Sequence, residues 1–284
     1  MSLVVTGATG HLGRLVVDHL LAAGVPAADV VATGRRVERL DDLAARGVQV
    51  AVADLDAPAT LEAAFAGAEV LLLVSGSEVG RRVPQHVAAI EAAKAAGVQR
   101  VVYTSAPHAD TTSLAVAPEH KATEEALRAS GLAWTLARNN WYTENYDGTL
   151  AQAAATGVVL TSTHGGRVAS ADRSDYAAGL AALLTGTGHE GRVYELSGDV
   201  AWTFDEFAAA ASQVLGREVV HRDVTSEEHL AALLAAGLDE GTAGFLVALD
   251  AGIAEGGLAD ATADLRDLIG RPTTPLVEGL RALL

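Results

Sequence analysis

Between residues 2 and 140, short apolar runs alternate strictly with helical stretches, and that alternation leaves few folds open. The runs are LVVTG, DVVATG, VQVAVADL, EVLLLVSG, RVVYTSA and LAWTLARN. Helical periodicity fills the gaps: through Leu21, around Leu40, from Pro84 to Ala96 and from about Pro118 to Ala129. Within each run polar and apolar residues barely alternate, as expected of parallel strands covered on both faces. Six such strands joined by right-handed crossovers predict an α/β chain with a doubly wound parallel sheet. Composition agrees, since 50% of the residues are hydrophobic but only 4% aromatic, so Ala, Val and Leu must fill the interior.

The first strand runs into TGATGHLG, which places Gly7, Gly10 and Gly13 in the spacing GxxGxxG at the mouth of the first helix. Gly7 permits a tight turn, Gly10 lets backbone approach a pyrophosphate, and Gly13 lets helix and strand pack closely. The helix start offers unpaired N–H groups and a partial positive charge to phosphates. Because strand, spacing and position agree, the loop predicts a Rossmann dinucleotide site contacted by Thr6, Gly7, Thr9, Gly10, His11, Leu12 and Gly13. An ordinary βα turn is the alternative.

The second strand ends in GRR, where an NAD-preferring site carries an acidic residue for the ribose hydroxyls. Arg35 and Arg36 can instead bond a 2′-phosphate, which selects NADPH (NADP); a solvated surface pair is the other reading. Asp54 and Leu55 follow the third strand at the adenine edge, although Asp54 can equally cap the next helix. Ser75, Gly76 and Ser77 end the fourth strand beneath the ribose and nicotinamide.

After Asn140 the rhythm loosens. GRVYELSG reads as one more strand and DYAAGLAALLT as one more helix on the sheet. FDEFAAAASQVL, SEEHLAALLAAG and PLVEGLRALL read as helices of a smaller lobe. The expected division is a dinucleotide-binding domain of residues 1–140 plus about 173–198, and a mostly helical substrate lobe of about 141–172 plus 199–284. Thr203 before FDEF reads as an N-cap with Glu206 completing a capping box, while Trp134 and Trp202 read as packing residues. His164 and the following GGR read as a turn.

Cysteine is absent, which removes disulfides, thiolate catalysis and Cys-ligated metals, and the nine histidines show no metal-ligand spacing. No metal is expected, and redox chemistry must ride on a bound cofactor. A formal charge of −16, with no basic stripe, argues against nucleic acid. No apolar run reaches a membrane-spanning length and no signal peptide is recognisable, so a cytoplasmic protein with no membrane contact is expected.

TGATGHLG, SGSEVGRRVPQH, AAKAAGVQRVVYTSAPHAD and RNNWYTENY together resemble the NmrA-like branch of atypical short-chain dehydrogenases, and within it the type 2 NAD(P)H:quinone oxidoreductases. The likeness continues through ASADRSDYAA, GRVYELSGDVAWT and LIGRPTTPL, near the chain's end. It implies NADPH-dependent two-electron reduction of a quinone without flavin, with the substrate between two lobes. A homodimer stays open as the assembly.

The chain departs from the larger dehydrogenase family in one respect: neither Lys94 nor Lys121 has a tyrosine four residues before it, so the Tyr-x-x-x-Lys acid is missing. A ketone that accepts hydride becomes a basic alkoxide and needs a positioned acid. A quinone becomes a phenolate that water can protonate later, so quinone reduction suffers least. EHKATEE instead sets His120 and Glu124 one helical turn apart; His120 either titrates near neutrality as a donor or faces solvent with Glu124. Ser105 ends the fifth strand, either near the nicotinamide or as a turn residue before Pro107.

RNNWYTENY places three of the chain's 12 aromatic residues in a nine-residue stretch after the sixth strand. Trp141, Tyr142 and Tyr146 can stack on a flat quinone, while Asn139, Asn140 and Asn145 can bond its oxygens or the nicotinamide. Arg138, Asn139 and Asn140 match the family's cofactor-and-substrate edge. Tyr142, Asn140 and His120 are the candidate catalytic residues, and Trp141 is expected to anchor the second lobe. The rival function is an NmrA-like redox sensor that binds dinucleotide without catalysis. A third is an NADPH-linked reductase of an enone or azo dye.

Overall fold

A computed structural model describes residues 2–76, 78 and 80–284. The chain opens with β1 (Leu3–Val5), α1 (His11–Ala22), β2 (Val30–Gly34), α2 (Asp41–Ala45), β3 (Gln49–Val52), α3 (Pro58–Phe65) and β4 (Val70–Leu73). It continues with α4 (Arg82–Ala95), β5 (Arg100–Ser105), α5 (Ala117–Ala129), β6 (Ala133–Asn139), α6 (Asp147–Thr156), β7 (Val158–Thr161) and β8 (Arg167–Val168). Then follow α7 (Arg173–Thr185), β9 (Arg192–Leu196), β10 (Trp202–Thr203), α8 (Phe204–Leu215) and β11 (Val220–Asp223). Four helices end the chain: α9 (Ser226–Ala235), α10 (Glu240–Ala254), α11 (Asp264–Ile269) and α12 (Leu276–Arg281). Among the described residues no helix is long and apolar enough to cross a membrane.

The main sheet is parallel, in the order β3-β2-β1-β4-β5-β6-β9, so the expected doubly wound sheet is present with GRVYELSG as its outermost strand. Its unbroken apolar strands have a simple cause. Leu3 and Val5 join a core with Val16, Leu20, Leu180 and Leu183, whereas Val4 joins Leu61, Phe65, Ile90 and Leu127 on the opposite face. β4 splits the same way, with Leu72 on the first side and Leu71 and Leu73 on the second. Every residue of β1 and β4 therefore leaves water, whichever way it points. The strand order reverses between β1 and β4, which opens a crevice at their carboxyl ends, where such sheets bind ligands.

Residues after β6 build a second core from Tyr146, Leu150, Val159, Trp202, Phe204, Phe207, Leu249, Ile253 and Leu280. Two small sheets escaped the sequence reading: β7 pairs with β11 in parallel and β8 with β10 antiparallel. Strands of two to four residues carry too little periodicity to announce themselves. The capping box is present, with Thr203 Oγ1 accepting from the Glu206 N–H and Glu206 Oε2 accepting from the Thr203 N–H. Trp202 is buried, Trp134 lies beneath the Arg128 guanidinium at 4.4 Å, and His164 turns with φ +50°.

Asp172 at the start of α7 stores an electrostatic cost. Burial first, then Glu144 and Asp175, push its carboxyl up to about 6, and its Oδ1 is buried without a partner among the described residues. A carboxyl raised in the folded state destabilises above its folded value, and the cost fades as pH falls towards its unfolded value. Asp172→Asn is accordingly expected to raise unfolding free energy by about 1–3 kcal/mol near pH 8, shrinking towards zero near pH 4. Urea titrations at the two pH values check this; an equal effect at both would remove the charge from the account.

Candidate active site

The glycine loop owes its shape to contacts a side chain would break. Gly7 sits in the left-handed region (φ +63°), and a Cβ on Gly13 would lie 2.6 Å from Gly7 O. A Cβ on Gly34 would lie 2.6 Å from Thr9 Cγ2, so β2 can end against the loop only as glycine. Thr6 pins the loop by donating from Oγ1 to Leu72 O (3.0 Å) and accepting there from the Val74 N–H (2.9 Å). α1 begins at Gly10 with no side-chain cap and no acidic residue in its first turn, which leaves its N–H groups for an anion.

These residues line a groove of about 400 Å³ that contains Thr6, Gly7, Thr9, Gly10, His11, Leu12, Gly13, Arg35, Asp54, Leu55, Ser75 and Gly76. Arg36 is exposed and absent from that wall, so the structure brings one arginine of the pair to the groove. Arg35 meets Glu78 at 3.4 Å, a weak exposed pair that a phosphate could displace. Asp54 caps no helix; its Oδ1 accepts from the Asp56 N–H at 3.1 Å in a local turn. Ser77 lies outside the described residues.

At Ser75 the groove meets a second cavity of about 220 Å³. Its walls are mainly apolar, with Leu114, Val116, Trp141, Phe245, Leu249 and Leu258, and its polar residues include Arg82, Ser105, His120, Asn139, Asn140 and Asn145. Tyr142 also lines it, with Oη accepting from Asn139 Nδ2 at 3.1 Å and the ring packed edge-on against Tyr176. Asn139 Oδ1 is buried and unpaired among the described residues, as suits a bound ligand's N–H. Trp141 packs against the second core, the anchoring role expected of it.

Several expected roles need correction. Arg138 reaches neither cavity: it forms a two-pronged pair with Glu124 (2.8 and 2.7 Å) and single bonds to Asp110 and Glu195 (both 2.9 Å). Asn140 lines the cavity and also bonds to backbone, with Nδ2 donating to Leu258 O (3.3 Å) and Oδ1 accepting from the Trp141 N–H (2.7 Å), so it ties the lobes together and keeps a second Nδ2–H. Ser105 keeps its place on the cavity wall while its hydroxyl donates to Glu124 Oε1 at 2.6 Å. Tyr146 sits in the second core among Trp202, Phe204 and Phe207, away from the cavity.

His120 and Glu124 do not face solvent; both are buried. Burial first, then Arg82 and His86, push the His120 ring down to about 3, so it is neutral near pH 7 and does not titrate there. Its Nδ1 is 2.8 Å from Tyr103 Oη, while Nε2 meets no partner among the described residues on a ring that lines the cavity. Arg82 went unremarked in the sequence. Its side chain is nearly buried, donates from Nε to Gly76 O (2.6 Å), and brings a cation to the cavity wall. One arginine in the run GRR at the fourth-strand crossover carries no signal that it turns inward.

The sheet, glycine loop and adjoining cavities define a Rossmann-type dinucleotide-binding protein with an apolar compartment beside its groove. The chain belongs to the NAD(P)H-binding family, whose model matches residues 7–186. It is 45% identical to quinone oxidoreductase 2 of Escherichia coli over 99% of this chain and 98% of that protein. The structure of that protein complexed with NADPH superposes with a TM-score of 0.95, covering 99% of both chains. Triphenylmethane reductase of Citrobacter sp., complexed with NADP(H), is 38% identical with a TM-score of 0.95 over 100% of both chains. The NAD(P)H azoreductase of Xenophilus azovorans is 30% identical over 99% of this chain and 97% of that one. The resemblance to the quinone oxidoreductases of the NmrA-like branch is borne out.

Proposed function

We propose that this chain is an NADPH-dependent oxidoreductase that reduces quinones without flavin or metal. One observation carries the reading: an apolar cavity, sharing Ser75 with the dinucleotide groove, presents a neutral histidine and a buried arginine. The residues fit the cofactor, because Gly7, Gly13 and Gly34 let the loop, first helix and second strand close together around the groove, and Asn139 holds a buried acceptor without a partner among the described residues. When bound, NADPH supplies the hydride.

The protein's own part is electrostatic. His120 Nε2–H and the Arg82 guanidinium face the oxygen on which negative charge grows, in a cavity whose apolar lining strengthens both. Water then protonates the phenolate. Residues 141–172 and 199–284 act as the substrate lobe, and Leu114, Trp141, Phe245 and Leu249 supply flat apolar contact. The relatives named for quinone, triphenylmethane and azo substrates share an extended conjugated acceptor, so a dye reductase is the second reading. A cytoplasmic location and a homodimer complete the proposal.

The direct test follows NADPH absorbance with benzoquinone, naphthoquinone and a triphenylmethane dye. Turnover with the quinones supports the reading, and turnover with the dye alone moves it to the second. Tight NADPH binding without turnover of any acceptor overturns both and leaves a redox sensor. For cofactor choice, Arg35→Ala is expected to weaken NADPH about tenfold relative to NADH, and Arg36→Ala much less, since Arg35 alone reaches the groove. Fluorescence titration with each nucleotide measures the ratio, and equal losses from the two variants would place both arginines on the phosphate.

A further inference from the structure

Behind His120 lies a buried chain of polar side chains that the proposed reaction does not use directly. Gly76, on the groove wall, donates its backbone N–H to His86 Nε2 at 3.0 Å. A backbone N–H can only donate, so His86 Nε2 is an acceptor and a neutral His86 carries its proton on Nδ1. Burial first, then Arg82, push the His86 ring down to about 4, which keeps it neutral. Its Nδ1–H is 3.0 Å from Thr123 Oγ1, and that hydroxyl donates onward to Glu119 O at 2.9 Å.

Tyr103 is fully buried on β5, with Oη 3.5 Å from His86 Nδ1 and 2.8 Å from His120 Nδ1. His86 Nδ1 already holds a proton and cannot accept, and at 2.8 Å His120 Nδ1 is the nearest acceptor for the Tyr103 O–H, so we assign that proton to the bond with His120. A neutral His120 with an acceptor at Nδ1 must carry its own proton on Nε2, the nitrogen left to the cavity.

We propose that His86 and Tyr103 are positioning residues that fix His120 in the Nε2–H form, so that a hydrogen-bond donor always faces the acceptor oxygen in the cavity. The inference rests on the reductase reading for its consequence, but the tautomer follows from the hydrogen-bond geometry of two neutral rings, whatever the reaction. No net proton moves along the chain. Each group keeps the proton it has, and the device orients a donor without spending one. Because the first bond comes from Gly76, the donor is referenced to the same strand end that walls the dinucleotide groove, which sets cofactor and donor in one frame.

Nitrogen-15 NMR of histidine-labelled full-length protein, with and without NADPH, reads the tautomer, the His120 signals being identified by their loss in His120→Ala. A protonated Nε2 and bare Nδ1 on His120 are expected; a protonated Nδ1 overturns the proposal without any variant of Tyr103. Tyr103→Phe is then expected to lower kcat for naphthoquinone about tenfold in the wild type and to change it less than about twofold in a His120→Ala background, with NADPH affinity unchanged in both. Equal losses in the two backgrounds would make Tyr103 merely structural and overturn the proposal. Absence of quinone turnover in the unmodified protein would instead sink the reductase reading, and the NMR result would still decide the tautomer.

Discussion

Arg138→Leu is expected to cost about 3–5 kcal/mol of stability at pH 8, the loss typical of removing one partner of a buried ion pair. The side chain is about 5% exposed, Glu124 about 4% and Glu195 about 21%. Burial alone would lower the guanidinium's affinity for its proton, but bonds to Glu124 and Glu195 outweigh it and raise that affinity further. Without Arg138, Glu124 keeps the bond from Ser105 and is otherwise left as a buried charge that, among the described residues, faces only Arg128 at 3.9 Å. That uncompensated buried carboxylate is the source of the loss. Urea unfolding followed by circular dichroism at about pH 8 measures it. A change below about 1 kcal/mol at pH 8 would show that solvent already screens the network. Because these bonds join β6, α5, β9 and the segment after β5, the variant also tests what holds the cavity floor together.

Arg138 also marks where sequence reading stops. Its place at the end of β6 was legible, since strand ends line the crevice of such a sheet. Its direction was not, because Asp110, Glu124 and Glu195 lie 28, 14 and 57 residues away and belong to three different segments. The tie between Asn140 and Leu258 was hidden for the same reason: 118 residues separate them, beyond any spacing rule. Gly7, Gly10 and Gly13 were readable because their reasons are local, down to the Gly7 carbonyl that a side chain at Gly13 would strike. The sheet was readable because covering both faces leaves unbroken apolar runs. Tyr146 misled because a strip of aromatics after β6 serves two masters: Trp141 and Tyr142 stay at the cavity while Tyr146, a turn further on, enters the second core. His120 was found by its odd placement on α5, yet its chemistry depended on burial and on Tyr103, which a reading of the helix alone could not supply.

His120→Ala is expected to lower kcat for a quinone by about 10²–10³-fold, the loss found when one donor to a developing oxyanion is removed. NADPH affinity should stay unchanged, because the ring lines the acceptor cavity and not the dinucleotide groove. Two accounts of the residue give different pH profiles. An acid that titrates near its ordinary value would impose a limb on kcat near pH 6.5. A ring held down to about 3 by burial, Arg82 and His86 stays neutral throughout, and its N–H donates equally well from about pH 5 to pH 8. The structure favours the second account, so the wild-type profile should lack a histidine limb in that range. His120→Asn, which can still present an N–H, should recover part of the lost rate where alanine cannot. Stopped-flow traces with saturating NADPH separate the reduction step from product release. A wild-type rate in His120→Ala would leave Arg82 as the charge that stabilises the phenolate, and a limb near pH 6.5 that vanishes with His120 would restore the ring to general acid.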